Sequence, residues 1–250
     1  MKKTIVYIVC IVLLFLFLYW LNRSQPQYYT WEPTYDTTDK QPYGAYALDK
    51  LLKASWKEGY THCYKSISDL KEEGKLEGRN LLIITQDFET TKSDEKVLLE
   101  YIREGGTALI AARTFPEILR KRLKAWVNFS YHTSDIAILM GVKRKFDTLH
   151  FCTPGLDHEK YKIPSMMCSL FFVRDSLDKV KDSVFIVAKA NNQQVIMLRY
   201  PIGKGSLLLS CNPLIYTNYS ILSDSCNMFL WNSFAYLQGK PLIRTEYYHA

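Results

Sequence analysis

The chain lacks most of the signatures that name a function. Its 250 residues hold no CxxC pair, no GxGxxG, no GxxxxGK[ST], no internal repeat and no low-complexity tract. The first three absences remove the usual zinc, dinucleotide and P-loop signals. Glycine is scarce, at 11 residues. Its two denser stretches, "REGGTA" and "PIGKGS", read as turns. "GKGS" precedes a strand, so its amides do not sit at a helix N-terminus, where phosphate binds. Charge of one sign is never concentrated. The net +7 is spread among acidic residues, and the densest basic groups are "RKRLK" at 120–124 and "KRK" at 143–145. The first reads as a solvated helix face, and no nucleic-acid motif accompanies either. No nucleic-acid partner is expected.

Six cysteines are present, and Cys10 lies in an apolar N-terminal run. That leaves Cys63, Cys152, Cys168, Cys211 and Cys226, an odd number. A complete disulfide framework is excluded without a partner chain. One or two bridges stay open, with Cys152–Cys168 the nearest-spaced pair. "HFCTPGLDH" brings His150, Cys152, Asp157 and His158 together, all zinc-binding types, but without the spacing of a zinc site. It reads as an ordinary loop, and no metal or cofactor is expected.

What is present begins at the N-terminus. "TIVYIVCIVLLFLFLYWL", Thr4 to Leu21, carries no charge. As a helix it would reach roughly 27 Å, close to the hydrocarbon thickness of a bilayer. Lys2 and Lys3 precede it, Arg23 follows it, and no small-x-small cleavage site lies near. The pattern predicts an uncleaved single-pass helix held in the lipid bilayer through residues 4–21. The N-terminus would be cytoplasmic and the main domain periplasmic, at a bacterial inner membrane. The predicted organisation is an anchor over 1–23, a tether over 24–41, one α/β domain over 42–240 with an irregular insertion at about 135–182, and a tail over 241–250.

Within the domain, "ALDKLLKASW" has helical spacing. "NLLIIT" (80–85) and "TALIAA" (107–112) are continuous apolar strands, and "SDEKVLLEYIREGG" reads as a helix with Ser93 as N-cap. This β-α-β-α alternation with short links predicts a parallel, doubly wound sheet. "SVFIVAKANNQQVIMLRYPIGKGSLLLSC" adds three strands, the first two as a hairpin, and Ser220–Leu237 reads as a packing helix.

In an open parallel sheet ligands bind beyond the strand C-termini. That rule selects Asp87 after "NLLIIT", Arg113 and Thr114 after "TALIAA", and Cys211, Asn212 and Asn218 after "SLLLS". Cys211 invites a nucleophilic reading. Its neighbours Ser210, Asn212 and Pro213 lack the glycines of a nucleophile elbow, and no histidine is near in sequence. It reads as the end of a core strand, and no catalytic residue is assigned.

Taken in order, the N-terminal apolar run, "W", "PYG" with "ALDKLL", "NLLIIT", "LLEYIREGGTALIAA" and "GKGSLLLSCNPLIYTNY" resemble the bacterial family known as domain of unknown function 4350. The likeness spans most of 31–235. It implies a fold similar to class I glutamine amidotransferases. That is a flavodoxin-like three-layer α/β sandwich with a mostly parallel sheet and an antiparallel C-terminal part, here behind an N-terminal transmembrane helix. It also implies a place in an envelope-associated assembly beside a MoxR-type ATPase. The amidotransferase nucleophile would follow "TALIAA", where this chain has Ala112-Arg113-Thr114, and Asn212 stands where a late histidine is expected. The combined expectation is a non-catalytic membrane-anchored binding or scaffolding domain with protein partners in the envelope. The alternatives are a hydrolase or transferase with a non-standard site at the sheet edge, and an envelope carbohydrate-binding module.

Overall fold

A computed structural model describes residues 2–24, 29–129, 146–156, 159–164, 167, 169–173, 184–190 and 193–249. The chain divides into two compact units, Met1–Thr30 and Trp31–Ala250.

The first unit holds helix α1, Lys2–Ser24. Its described side chains are exposed, from Ile5 to Leu21. The transmembrane expectation is overturned: among the described residues no helix is long and apolar enough to cross a membrane. The single-pass anchor loses its support, and with it the inner-membrane placement and the cytoplasmic and periplasmic sides.

The second unit is built on an 11-stranded mixed sheet. Its elements are α2 (Tyr46–Ser55), β1 (Tyr60–Cys63), α3 (Ile67–Glu72), β2 (Asn80–Ile84), α4 (Lys92–Arg103), β3 (Thr107–Ala111) and α5 (Glu117–Leu123). There follow β4 (Val127–Phe129), β5 (Phe146–Phe151), β6 (Tyr161–Pro164), β7 (Leu170–Phe172), β8 (Phe185–Ala190), β9 (Val195–Ile202) and β10 (Gly205–Ser210). A 3-10 turn at Pro213–Tyr216, α6 (Asn218–Ile221), α7 (Asp224–Phe234) and β11 (Leu242–Thr245) close the chain. The main strand order is β1-β11-β2-β3-β10-β9-β8-β5-β6, with β7 joining β4 to β9.

Pairing is parallel from β1 through β11, β2 and β3 to β10. It is antiparallel from β10 through β9, β8 and β5 to β6, and between β4, β7 and β9. The mostly parallel sheet expected from the alternation is therefore corrected to a mixed one. A parallel link needs a crossover of a dozen or more residues, usually a helix, whereas an antiparallel link needs only a turn. The described residues between β4 and β10 include no α-helix. Part of the irregular insertion, 146–172, supplies β5, β6 and β7 to the sheet.

The helices form for local reasons. In α3, Ser66 Oγ accepts from the Asp69 amide and Asp69 returns a bond to the Ser66 amide, a capping box. In α4 the N-cap is Thr91 rather than Ser93, its hydroxyl accepting from the Asp94 amide at 3.1 Å. Leu98, Leu99, Tyr101 and Ile102 of that helix are buried, the i, i+3, i+4 face of an amphipathic helix. The steps β1→β2→β3 run one way across the sheet and β10→β11 runs back. Right-handed crossovers then put α3 and α4 on one face and α6 and α7 on the other. The packing agrees, since α3 meets α4, and α2, α6 and α7 meet in series.

Glycine serves close approach in "GKGS". A Cβ at Gly205 would lie 2.0 Å from the Gly106 carbonyl oxygen and 2.3 Å from that of Ile102. Only hydrogen fits where β10 crosses the end of α4.

Two boundaries move. Residues 31–41, read as tether, belong to the compact unit, with Tyr35 and Thr37 buried. Trp31 packs edge-on against Tyr43, with centroids 5.4 Å apart, and against Tyr219 at 6.0 Å. Residues 241–250, read as a tail, supply β11, buried along its whole length and inserted between β1 and β2.

Candidate functional site

The five parallel strands end at one edge, and the register brings Cys63, Thr245, Ile84, Ala111 and Ser210 to it. The expected residues beyond β2 and β3 meet there. Asp87 and Thr114 form a parallel bridge. The Thr114 hydroxyl donates to Asp87 Oδ1 at 2.8 Å, and the Arg113 amide donates to the Gln86 carbonyl at 2.8 Å. Arg113 itself is exposed, and among the described residues its guanidinium makes no ion pair.

The residues after β10 are differently placed. Cys211 is fully buried. Its thiol donates to the carbonyls of Leu170 at 3.2 Å and Ile196 at 3.4 Å. Burial pushes that thiol well above its ordinary range, so little thiolate forms near neutral pH. Asn212 pairs with β7 as a strand would. Its Nδ2 donates to the Leu170 carbonyl at 2.8 Å and its Oδ1 accepts from the Leu170 amide at 3.1 Å. Asn218 ties down the loop before α2. Its Oδ1 accepts from the Ala47 amide at 2.7 Å, and its Nδ2 donates to the carbonyls of Asp39 and Gln41 at 2.9 and 2.7 Å. All three hold backbone. Of the zinc-type residues, His150 and Cys152 stand at the end of β5, whereas Asp157 and His158 lie outside the described residues, as does Cys168 of the nearest-spaced cysteine pair.

A charged cluster that the sequence reading missed occupies the β1–β11 end. Arg244 and Glu246 are buried, and Arg244 Nη2 lies 3.0 Å from Glu246 Oε1. The same Nη2 donates to the Tyr35 carbonyl at 2.6 Å. His62 Nε2 lies 3.0 Å from Glu246 Oε2, and the Thr37 amide donates to Glu246 Oε1 at 2.9 Å. Burial alone would raise the Glu246 carboxyl. The His62 hydrogen bond and the Arg244 charge outweigh it and hold the group below its usual range. His249, whose Nε2 lies 2.7 Å from the Ile84 carbonyl, is pushed down by burial against the pull of Glu246. The available signal was "LIRTEYYH" itself, apolar residues running into an Arg-x-Glu pair.

Tyr35 stands between two cavities at this edge. One, of about 340 Å³, is lined by Arg113, Asn212, Met167, Leu170 and Leu214 among others. The second, of about 370 Å³, takes in Thr85, Gln86, Asp87 and His249. Among the described residues the buried Tyr35 hydroxyl has no hydrogen-bond partner. Burial pushes this phenol far up, against the Arg113 charge. A hollow of about 1140 Å³ lies between α4 and α5 and is walled by charges of both signs, such as Glu95, Lys96, Glu117 and Lys121.

No protein-family model matches the chain, and no curated protein matches it. Solved structures do. The mmIFT52 N-terminal domain matches with a TM-score of 0.52 at 14% identity, over 82% of this chain and 93% of that one. At that identity the likeness is one of fold alone. A beta-galactosidase from Bacillus circulans sp. alkalophilus matches at TM-score 0.34 and 9% identity, over 60% of this chain and 22% of that one. An exo-beta-1,4-mannosidase from Opitutaceae bacterium strain TAV5 gives 0.36 and 12%, over 64% and 25%. Both glycosidase likenesses are too slight to carry an argument.

Proposed function

We propose that Trp31–Ala250 is a non-catalytic binding or scaffolding domain with a protein partner. The observation that carries this reading is the state of Cys211. The thiol best placed for nucleophilic chemistry is sealed from solvent and donates to two backbone carbonyls. A nucleophile needs an adjacent base and access to substrate, and Cys211 has a carboxamide and two carbonyls instead. The partner would meet the C-terminal edge of β1 and β11. There Tyr64 and Tyr247 stand 57% and 53% exposed beside the buried ion cluster. Tyrosine offers large contact area at small entropic cost, which suits an interface. The resemblance to the domain of unknown function 4350 supports an envelope-associated assembly and a MoxR-type ATPase as its working companion.

The test has two arms, both on the full chain. Thiol labelling of the folded protein near neutral pH leaves Cys211 unmodified until the chain unfolds; rapid labelling would return the hydrolase reading. A photo-crosslinking residue at Tyr64 or Tyr247, expressed in cells, yields one discrete protein adduct. The same residue at Glu58, exposed at the opposite edge, yields none. Equal yields at both edges would sink the assignment of the surface.

A further inference from the structure

We propose that the cavity beyond the C-terminal ends of β3 and β10 binds the carboxylate of an apolar acid, held between the Arg113 guanidinium and the Tyr35 hydroxyl. The inference deepens the binding function proposed above and rests on it. The first observation is Tyr35. It is 1% exposed, and among the described residues its hydroxyl has no hydrogen-bond partner. Most buried polar groups are paired, so an orphan calls for an explanation. The backbone adds weight. Tyr35 sits at φ 55, in the left-handed region that a bulky residue rarely enters. It is pinned there by its own amide on the Tyr43 carbonyl at 3.1 Å and by Arg244 Nη2 on its carbonyl at 2.6 Å. Outliers of this kind are retained where the surroundings over-determine them, and they gather at ligand sites.

The second observation is Arg113. It lines the same cavity, makes no ion pair among the described residues, and is near enough to act electrostatically on the Tyr35 phenol. A guanidinium and a phenol O–H are both donors, and their natural common acceptor is a carboxylate. The third observation is the rest of the wall. Met167, Leu170, Pro213 and Leu214 are apolar, Ser169 adds one hydroxyl, and the Asn212 carboxamide is already bonded to Leu170 in both directions. The body of the ligand is therefore mainly apolar. A cavity of about 340 Å³ suits a group the size of a leucine side chain with its carboxylate. Asp87 also acts on Tyr35; its negative charge opposes a second anion, so a monocarboxylate is preferred. Either a free short-chain acid or the C-terminal residue of a polypeptide carries this chemistry.

The experiment titrates the full-length chain by calorimetry with 4-methylpentanoate and with the tripeptide Ala-Ala-Leu, each beside its C-terminal amide. The acids are expected to bind about tenfold or more tighter than the amides, and Arg113→Gln to weaken the acids by about tenfold or more. Tyr35→Phe is expected to weaken them about three- to tenfold while the ligand-free melting temperature holds or rises, because it removes an orphan hydroxyl. A tighter tripeptide assigns the site to a chain end, and a tighter free acid assigns it to a small molecule. Indistinguishable acids and amides, no binding up to about 10 mM, or an Arg113→Gln variant that binds as well as the parent would overturn the proposal. If crosslinking at Tyr64 and Tyr247 then persisted, the broader binding function would stand without this pocket.

Discussion

At β1 and β11 the sheet edge buries ions; at β10 the same edge buries neutral carboxamides. Glu246 is met by Arg244, His62 and Thr37, and Arg244 reaches on to the Tyr35 carbonyl. Cys211 and Asn212 meet each other and the backbone of β7 and β9. The first stitches the residue 35–37 loop to the last strand, and the second stitches β7 to β10. The first is not fully satisfied: among the described residues Arg244 Nε and Nη1 are buried without a hydrogen-bond partner. The Tyr35 hydroxyl and the Arg113 guanidinium differ in lining one cavity, and that is where a ligand has something to bind.

The contrast can be broken by mutation. Glu246→Gln should have the largest effect, about 3–5 kcal/mol, because it leaves Arg244 buried without its counter-ion. Urea unfolding at pH 7 measures it, and a loss no larger than that of a neutral substitution at β10 would erase the distinction.

Acid titration of stability separates the two ends next. The folded Glu246 carboxyl lies below its unfolded value. Its contribution is complete above about pH 4.5 and is lost as pH falls through the folded value. The folded His249 imidazole also lies below its unfolded value, so stability begins to fall once pH drops under about 6.5. The parent should show an acid limb that starts near pH 6.5 and steepens below about 4.5. The Glu246→Gln variant should have a shallower limb there, with Asp36, also held low, among the carboxyls that keep part of it.

Asn212→Ala should cost about 1–3 kcal/mol, since it removes the carboxamide that both donates to and accepts from the Leu170 backbone, leaving only the weak Cys211 thiol on that carbonyl. Hydrogen exchange should quicken over Val127–Phe129 and Leu170–Phe172 and stay unchanged in Leu242–Thr245. A global increase would mean that the two networks are not independent. Tyr35→Phe should have the smallest effect on unliganded stability, within about 0.5 kcal/mol or slightly favourable. A loss of 2 kcal/mol or more (~) in thermal unfolding would show that the hydroxyl has a partner inside the fold.

Much of the parallel half is legible along the chain. "NLLII" and "TALIA" are continuous apolar runs, buried on both faces, and "VLLEYI" carries the helical period between them. Local pattern suffices there because each strand is followed at once by the helix that covers it. Topology also indicates the edge on which Asp87, Arg113 and Asn212 gather. It does not show that the Asp87 and Thr114 side chains bond each other or that Asn212 stands in for strand backbone. The capping of α4 by Thr91 instead of Ser93 is a smaller slip of the same kind, decided by which hydroxyl reaches the Asp94 amide.

β11 is the clearest case of the opposite. "LIRT" has two apolar residues and then a charge, too short and too polar to announce a central strand. It becomes one because Arg244 finds Glu246 two residues on and the Tyr35 carbonyl 209 residues away in sequence. A buried cation is tolerated only when so paired. By itself the sequence determined the α/β alternation, the apolar strands and the turns that demand glycine, because those depend on neighbours within a few residues. The β8–β9 hairpin was legible too. Only the tertiary structure decided how β4 to β7 join the sheet, that the last strand enters the parallel half between β1 and β2, and that Tyr35 and Arg113 share a cavity. Each of those rests on pairings between distant residues, and local periodicity carries no record of them.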